Sequence, residues 1–210
     1  MGMYVRNGKP RDETWLREEV EAMGLDAAAL QADEYVIAVE ETTNERAGFG
    51  RLRVHVGERT VAELTSIGVI KSWRNQGVGA HILERLLTKG GDAGAESAYM
   101  LTDEPGYPAQ FGFERCPTDD LPKPLGDRQA EKQSVVDDEL VALTISLAAF
   151  EMPPRLREAF KSATPAGDAP TSDTDEDFGI DAETAPYKYG TGSRYDRPYR
   201  SSRKHVLKTM

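Results

Sequence analysis

The stretch of chain from residue 61 to residue 87 limits the possible folds more than any other part of the sequence. Between Val61 and Ile70 the side chains alternate with period two, which predicts a β-strand. After a short turn, apolar residues recur at helical spacing until Gly90 and Gly91 interrupt the pattern. The recurring apolar residues are Val78, Ile82, Leu83, Leu86 and Leu87. The stretch therefore predicts a strand, a glycine-rich turn and a helix in direct succession.

The turn between this strand and helix reads Arg-Asn-Gln-Gly-Val-Gly over residues 74–79. A turn of this kind leaves several backbone N–H groups without intrahelical partners, and the helix dipole adds partial positive charge there. It predicts a cradle for phosphate. A β-carbon at Gly77 or Gly79 is expected to keep the backbone away from phosphate oxygens, and Arg74 can add a planar cationic fork. A plain strand-to-helix turn with two convenient glycines is the alternative.

Two common nucleotide-binding motifs do not fit this turn. The third glycine of the dinucleotide-binding fingerprint is missing, and no Gly-Lys-Ser/Thr follows to make a Walker loop. The segment instead resembles motif A of the GNAT superfamily of acyl-CoA-dependent N-acetyltransferases, Arg/Gln-x-x-Gly-x-Gly/Ala after a strand. Arg74, Gly77 and Gly79 match that motif. Tyr107-Pro-Ala-Gln-Phe-Gly-Phe113 is similar to the family's motif B, and the resemblance covers roughly residues 3–152.

The resemblance implies an α/β (α+β) fold, with a mixed, mostly antiparallel central sheet flanked by helices. It also implies acetyl-CoA as co-substrate and direct transfer of the acetyl group to a primary amine of a small molecule or protein. The pyrophosphate is expected on the amides of residues 76–80, and the end of the strand is expected to hold the acetyl group. The cofactor-binding candidates are Ile67, Gly68, Val69, Arg74, Asn75, Gln76, Gly77, Val78, Gly79 and Ala80.

Two residues are the catalytic candidates that the resemblance suggests. Glu63 shares a strand face with Ile67 and is the expected general base, with Asp103 and Glu104 as further candidates. Tyr107 is the expected acid that protonates the departing thiolate. It lies one residue before the position that the family normally uses, which Pro108 occupies, and Pro108 suits the first turn of a helix that starts late.

A second hypothesis comes from another functional class. The chain could be a catalytically inactive acyl-CoA-binding sensor or interaction module that keeps the fold. Both hypotheses require cofactor binding, and they differ in whether thiol is released when an amine is supplied. The sequence leaves the acceptor open, and a homodimer is compatible with it.

Other segments predict the rest of the fold. A helix capped by Asp12, a short helix from Asp26 to Leu30 and a helix around residues 127–133 are expected. The strand Ser97–Thr102 is expected to splay from Val61–Ile70 and expose backbone groups to a pantetheine arm. Arg51 and Arg53 share a strand face, which is most simply a solvated one. The remaining strands are predicted at residues 3–6, 35–39, 48–56, 113–116 and 141–147, and a closing helix at 153–160.

Composition limits partners and compartment. Lys and Arg number 26 against 36 Asp and Glu, a formal net charge of −10, which disfavours nucleic acid or an anionic membrane as partner. The single cysteine rules out an intrachain disulfide, and together with the scattered histidines it predicts no metal site. With no signal-like or membrane-spanning run, a cytoplasmic protein is expected.

The composition changes after residue 163. Seven acidic residues and no basic ones occur between Thr164 and Tyr187, and basic residues mixed with tyrosines follow. Such a segment buries too little apolar surface to fold alone. The sequence therefore predicts an N-acetyltransferase-like domain over residues 1–163 and a disordered, acidic-then-basic tail over residues 164–210.

Overall fold

A computed structural model describes residues 2–134 and 139–166 of the chain. The predicted tail from residue 167 onward lies outside these residues. In the described part, seven strands form one sheet in the order β1-β2-β3-β4-β5-β7-β6. The strands are β1 (Met3–Asn7), β2 (Tyr35–Glu40), β3 (Arg46–His55), β4 (Val61–Val69), β5 (Ser97–Thr102), β6 (Glu114–Arg115) and β7 (Val141–Ser146). The helices are α1 (Glu13–Ala22), α2 (Val78–Asp92), α3 (Gly106–Ala109), α4 (Lys123–Gln133) and α5 (Pro154–Lys161).

The sheet is mixed and mostly antiparallel, as predicted. Its one parallel pair among the described strands is β4 with β5, and the other neighbours run antiparallel. One face carries the larger core, where α2 packs its apolar stripe, including Ile82 and Leu86, on β2, β3 and β4. The opposite face carries a second core built by Leu16 and Val20 of α1. The amphipathic pattern of residues 78–87 thus buries the face that the sequence predicted.

β4 and β5 separate at one end, as predicted. Their pairing runs from Ala62 opposite Ala98 to Leu64 opposite Met100, whereas β4 continues to Val69. The register between β3 and β4 shifts by one residue between Phe49 and Arg51, so β4 carries a bulge, and there Ser66 adopts a φ of 47°. A bulge bends its strand and strengthens the local twist. The bend leaves the last residues of β4 without a partner strand on the β5 side.

Two predictions for the helices differ from the structure. Residues 26–30 form turns rather than a helix, because the Asp26 carboxylate accepts the N–H of Ala28 at 2.9 Å and Ala29 has a φ of 47°. Asp12 precedes α1, but its side chain does not cap the helix and instead binds Arg6 and Arg46.

Arg51 contradicts the expectation of a solvated row of arginines. Only 1% of it is exposed. Its guanidinium pairs with Glu34 and donates to the carbonyls of Ala28 and Ala29 at 2.8 and 2.7 Å. Arg51 therefore fixes the turn that replaces the predicted helix.

The described chain continues past the predicted boundary at residue 163. Ala163 is buried against the larger core. Thr164 N–H donates to the Gln76 side chain at 2.8 Å, and Ala166 N–H donates to the Ser72 carbonyl at 2.8 Å. Residues 164–166 are therefore attached to the glycine-rich loop. Among the described residues, every helix is too short or too polar to cross a membrane.

Candidate active site

The glycine-rich loop connects the splayed end of β4 to the first turn of α2. Two of its residues have left-handed backbone, Asn75 with a φ of 62° and Gly77 with a φ of 73°. The first amide of α2 to find a carbonyl acceptor is that of His81, which donates to Gly77 at 3.1 Å. The N–H groups of Val78, Gly79 and Ala80 precede it and have no acceptor within the helix. These amides and the helix dipole make the loop suited to an anion.

The two glycines are explained by packing within the protein. A β-carbon on Gly77 would lie 2.1 Å from the carbonyl oxygen of Leu156 in α5, so the expectation that it would fill phosphate space is wrong. A β-carbon on Gly79 would lie 2.9 Å from the hydroxyl oxygen of Tyr107 and 3.6 Å from a methyl of Val69. Gly77 therefore lets α5 approach the loop, and Gly79 leaves room for the Tyr107 hydroxyl.

α5 and the residues after it support the loop from one side. The ring of Phe160 stacks on His81 with centroids 3.8 Å apart and planes inclined by 12°. His81 Nδ1 donates to the Gly77 carbonyl at 3.0 Å, and burial lowers the pKa of this imidazole. Gln76 donates to the Ser72 carbonyl at 3.3 Å and accepts from Thr164. The loop is thus held in place by both its own side chains and the end of the domain.

Arg74 lies on the exposed side of the loop. Its Nε donates to the Val69 carbonyl at 3.3 Å, which ties the loop to the end of β4. Its terminal nitrogens contact no acceptor among the described residues, so they remain free to bind an anion at the α2 N-terminus. Asn75 is exposed beside it.

The predicted acetyl site, Ile67-Gly68-Val69, forms the last part of β4. Gly68 pairs with Phe49 and Val69 with Gly48 on the β3 side. On the other side this segment has no strand neighbour, because pairing with β5 ends at Leu64. Its outward backbone groups can therefore pair with the amides of an extended ligand in the manner of an added strand.

Glu63, the predicted base, is completely buried beside a cationic cluster formed by Arg128 and Lys132, and His55 also contacts its carboxylate. His55 Nε2 donates to it at 2.9 Å, and Arg128 Nε donates at 2.9 Å. Lys132 lies 3.9 Å away and donates to Thr65 at 3.1 Å. Burial raises the pKa of the Glu63 carboxyl, but the hydrogen bonds from His55 and Arg128 outweigh it and leave the pKa below its ordinary value. Glu63 is therefore ionised at neutral pH.

Arg128 and Lys132 were missed by the sequence reasoning. Both belong to α4, the helix of the insert, and lie over the α1 face of the sheet beside Glu63. Arg128 also pairs with Asp26 at 3.1 Å, and Arg53 reaches the same carboxylate at 3.4 Å. Their i, i+4 spacing placed both cations on one helix face, which was the available signal. Nothing local indicated that this face would meet a carboxylate 65 residues earlier in the chain.

Tyr107, the predicted acid, lies in the four-residue helix α3, so Pro108 falls inside that first turn rather than delaying it. The Tyr107 ring meets Phe111 edge-on, with centroids 5.3 Å apart. Burial raises the pKa of its phenol to about 12. No described residue forms a hydrogen bond with this hydroxyl, and it points at the first turn of α2. The phenol is protonated at neutral pH and available to donate.

Asp103 and Glu104, the other candidate acids, follow β5 directly. Both are exposed, and the Glu104 N–H donates to the Thr102 hydroxyl at 2.9 Å. Neither carboxylate contacts the cluster around Glu63. Within residues 2–134 and 139–166, no three His, Cys, Asp or Glu side chains are grouped so as to hold a metal ion.

A comparison with family models matches residues 3–116 to the acetyltransferase (GNAT) family. That span contains the glycine-rich loop, Glu63 and Tyr107. Among curated protein sequences, none matches this chain.

Solved structures share the fold at low identity. N-acetylglutamate synthase from Neisseria gonorrhoeae, complexed with coenzyme A and N-acetyl-glutamate, is 18% identical with a TM-score of 0.57. The match covers 70% of this chain and only 35% of that enzyme, so the chain spans about a third of its length. Rv2747 from Mycobacterium tuberculosis, in complex with CoA and NLQ, is 17% identical with a TM-score of 0.56, over 68% of this chain and 98% of that one.

A third solved structure is Arabidopsis thaliana Naa50 in complex with the bisubstrate analogue CoA-Ac-MVNAL. It is 11% identical with a TM-score of 0.50, over 70% of this chain and 99% of that one. At these identities the likeness establishes the fold alone.

Proposed function

The chain belongs to the GNAT family of acetyltransferases, and we propose that it moves an acetyl group from acetyl-CoA directly to a primary amine. This proposal rests on one observation: an unpaired strand edge and a group of free helix amides lie next to each other along the chain. The unpaired edge of β4 beyond Leu64 leads to the free amides at the start of α2. An extended arm that ends in phosphates fits this arrangement, because the strand edge pairs with amides and the helix terminus binds phosphate.

Binding is assigned to the loop and the strand end. The amides of residues 76–80 hold the pyrophosphate, and Arg74 reaches the same phosphates with its free terminal nitrogens. Ile67, Gly68 and Val69 pair with the arm and direct a backbone N–H at the thioester carbonyl, which polarises it. The three solved relatives carry CoA or an analogue of it. The same ligand is proposed here on the geometry of this loop.

The proton transfers are assigned to Glu63 and Tyr107. Acyl transfer needs a neutral amine as nucleophile and a protonated thiol as leaving group. Glu63 accepts the proton that the attacking amine loses. Tyr107 donates its phenolic proton to the sulfur as the carbon–sulfur bond breaks, and its hydroxyl forms no hydrogen bond with residues 2–134 or 139–166.

The cationic cluster constrains how Glu63 works. A carboxylate held by Arg128 has a lowered pKa and is a weaker base than a free one. We infer that the acceptor amine approaches Glu63 from the side of α4 and takes over one of the hydrogen bonds that Arg128 or His55 now donates. α4, which belongs to the insert, would then shape the acceptor site.

The test is a panel of primary amines, from amino acids and polyamines to peptide N-termini, incubated with acetyl-CoA while free thiol is followed. The expected result is thiol release that depends on one class of amine and exceeds release in its absence. Acetyl-CoA binding by calorimetry with no amine-dependent release across the panel would favour the inactive binding module instead. Absence of acetyl-CoA binding would overturn both.

A further inference from the structure

A cavity of about 360 Å³ opens on the α1 side of the sheet, at the outer strands. Its lining contributes three guanidinium groups and one amide, and none of the lining residues is acidic. The lining residues are Arg6, Arg11, Val39, Asn44 and Arg46. All charged residues of the lining are therefore cations, in a chain whose net charge is −10.

Asp12 holds two of the guanidinium groups in place through ion pairs. Its side chain is completely buried, and Arg6 donates to its two oxygens at 2.7 and 3.0 Å. Arg46 donates to Asp12 Oδ1 through Nε at 3.1 Å and through a terminal nitrogen at 3.0 Å. The Arg46 guanidinium also lies over the ring of Trp15, 5.2 Å from its centroid. Both arginines are therefore held in one geometry before any ligand arrives.

The other two polar side chains of the cavity belong to Arg11 and Asn44, which are both exposed. Arg11 and Asn44 make no side-chain hydrogen bond or ion pair with any residue that the structure describes. Asn44 is held by its backbone, with a φ of 59° and its N–H donating to the Glu40 carbonyl at 3.0 Å. Among these residues, one carboxylate against three guanidinium groups leaves an excess of two positive charges, and all four polar residues line the same cavity.

We propose that this cavity is a binding site for a small anion that carries a phosphate or carboxylate group. Guanidinium groups match both anions, because their planar donors form paired, charge-assisted hydrogen bonds. Asp12 prearranges Arg6 and Arg46, so little side-chain entropy is lost when the ligand binds. Arg11 and Asn44 are exposed and add donors that meet no acceptor among the described residues. The site is separate from the loop at residues 74–80 and does not depend on the proposed acetyl transfer.

The experiment titrates the full chain, without CoA and at low salt, with inorganic phosphate in one arm and succinate in the other. The side-chain signals of Asn44 and the indole of Trp15 are followed by NMR. Saturable shifts with phosphate alone identify a phosphate ligand, shifts with succinate alone identify a carboxylate, and shifts with both identify the shared chemistry. Absence of saturable shifts in both arms would overturn the proposal.

Three variants test the assignment. Arg11→Gln should weaken the binding about tenfold or more without lowering stability, because it removes charge-assisted hydrogen bonds to the ligand from a side chain that forms no hydrogen bond or ion pair with a described residue. Arg17→Gln removes the same charge from an exposed position on α1, and Arg74→Gln removes it from the loop; both should leave these shifts unchanged. Undiminished affinity in Arg11→Gln, or an equal loss in Arg17→Gln, would refute the site.

Discussion

The hydroxyl oxygen of Tyr107 lies 2.9 Å from the point where a β-carbon on Gly79 would stand. Gly79 belongs to the first turn of α2 and Tyr107 to α3, so the two sequence motifs meet at this contact. The absence of a side chain at Gly79 therefore decides where the proposed proton donor sits. A substitution at Gly79 can therefore test the position of Tyr107 without changing Tyr107 itself.

Gly79→Ala should lower turnover by about tenfold, because the Tyr107 hydroxyl must move away from the added methyl group. Steady-state kinetics with the amine found in the panel would measure this, and stability should be kept or slightly increased. Gly126→Ala is the matched control, since nothing lies within 4 Å of its β-carbon position in α4. It should leave activity unchanged. Equal activity in both variants would show that the Tyr107 position is immaterial.

Tyr107→Phe should lower kcat by about tenfold or more and leave the affinity for acetyl-CoA unchanged, as expected for the loss of a general acid. Because burial raises the pKa of this phenol to about 12, its ionisation should not limit the wild-type rate below about pH 11. Tyr4→Phe, at a position that is 40% exposed, is the control. Full activity in Tyr107→Phe would leave water or the substrate as the proton source.

Gly77→Ala should destabilise the domain by about 3 kcal/mol, because the added carbon meets the Leu156 carbonyl and the backbone is left-handed. Urea unfolding would measure the change. Gly94→Ala separates the two causes, since Gly94 has a φ of +87° but its nearest atom, the Thr60 hydroxyl, is 4.0 Å away. That variant should lose only about 1–2 kcal/mol. A similar loss of stability in both variants would mean that α5 moves away from the added carbon at little energetic cost.

Arg128→Gln should raise the pKa of Glu63, because it removes a cation that favours the ionised form. If Glu63 is the base, the rate falls when it is protonated, so the acid limb of the pH–kcat profile should move to higher pH. Lys123→Gln is the control, as Lys123 is an exposed residue at the start of the same helix. Glu63→Gln should lower kcat about a hundredfold or more and abolish the limb. If the acid limb of the pH–kcat profile does not move in Arg128→Gln, the limb reports the ionisation of a group other than Glu63.

Asp12→Asn should cost about 3 kcal/mol at pH 7, because it leaves Arg6 and Arg46 without their anion. Burial raises the pKa of Asp12, but the hydrogen bonds from Arg6, Lys9 N–H and Arg46 outweigh it and lower the pKa to about 2. The stabilisation is therefore complete above the unfolded value of about 3.9 and is lost as the pH falls toward 2.

Urea unfolding of wild type and Asp12→Asn from pH 7 to pH 2 would show this as a difference that shrinks below about pH 4. Asp119→Asn, an exposed position, should differ from wild type at no pH. A difference between wild type and Asp12→Asn that persists at pH 2 would contradict the assignment.

Local pattern was sufficient to predict the elements around the site. Alternation in β4 and helical spacing in α2 identified both, and the two glycine motifs identified the loop between them. The splaying of β4 from β5 followed from the family resemblance. The bulge at Ser66 could not be predicted. No sequence pattern indicates a positive φ at a serine, and the bulge depends on the register with β3.

Long-range pairing was beyond the sequence. Arg51 looked like a surface residue because its strand face also carries Arg53 and His55, but the turn at residues 26–30 folds over it and buries it. Glu63 was expected to face an open cleft, and the insert helix α4 brings Arg128 to it. Electrostatic partners of this kind are decided by which loops pack on the sheet. The separation of two residues along the chain does not show whether they will become such partners.

The attachment of Thr164 and Ala166 to the loop has a consequence for the order of events during synthesis. The Thr164 N–H that Gln76 accepts lies 88 residues later in the chain, and the carbonyl of Leu156, against which Gly77 packs, comes almost as late. A ribosome therefore releases the loop long before it releases the residues that hold it. Closing so long a segment has an entropic cost that is recovered only when α5 docks. The loop acquires its final form among the last steps of folding.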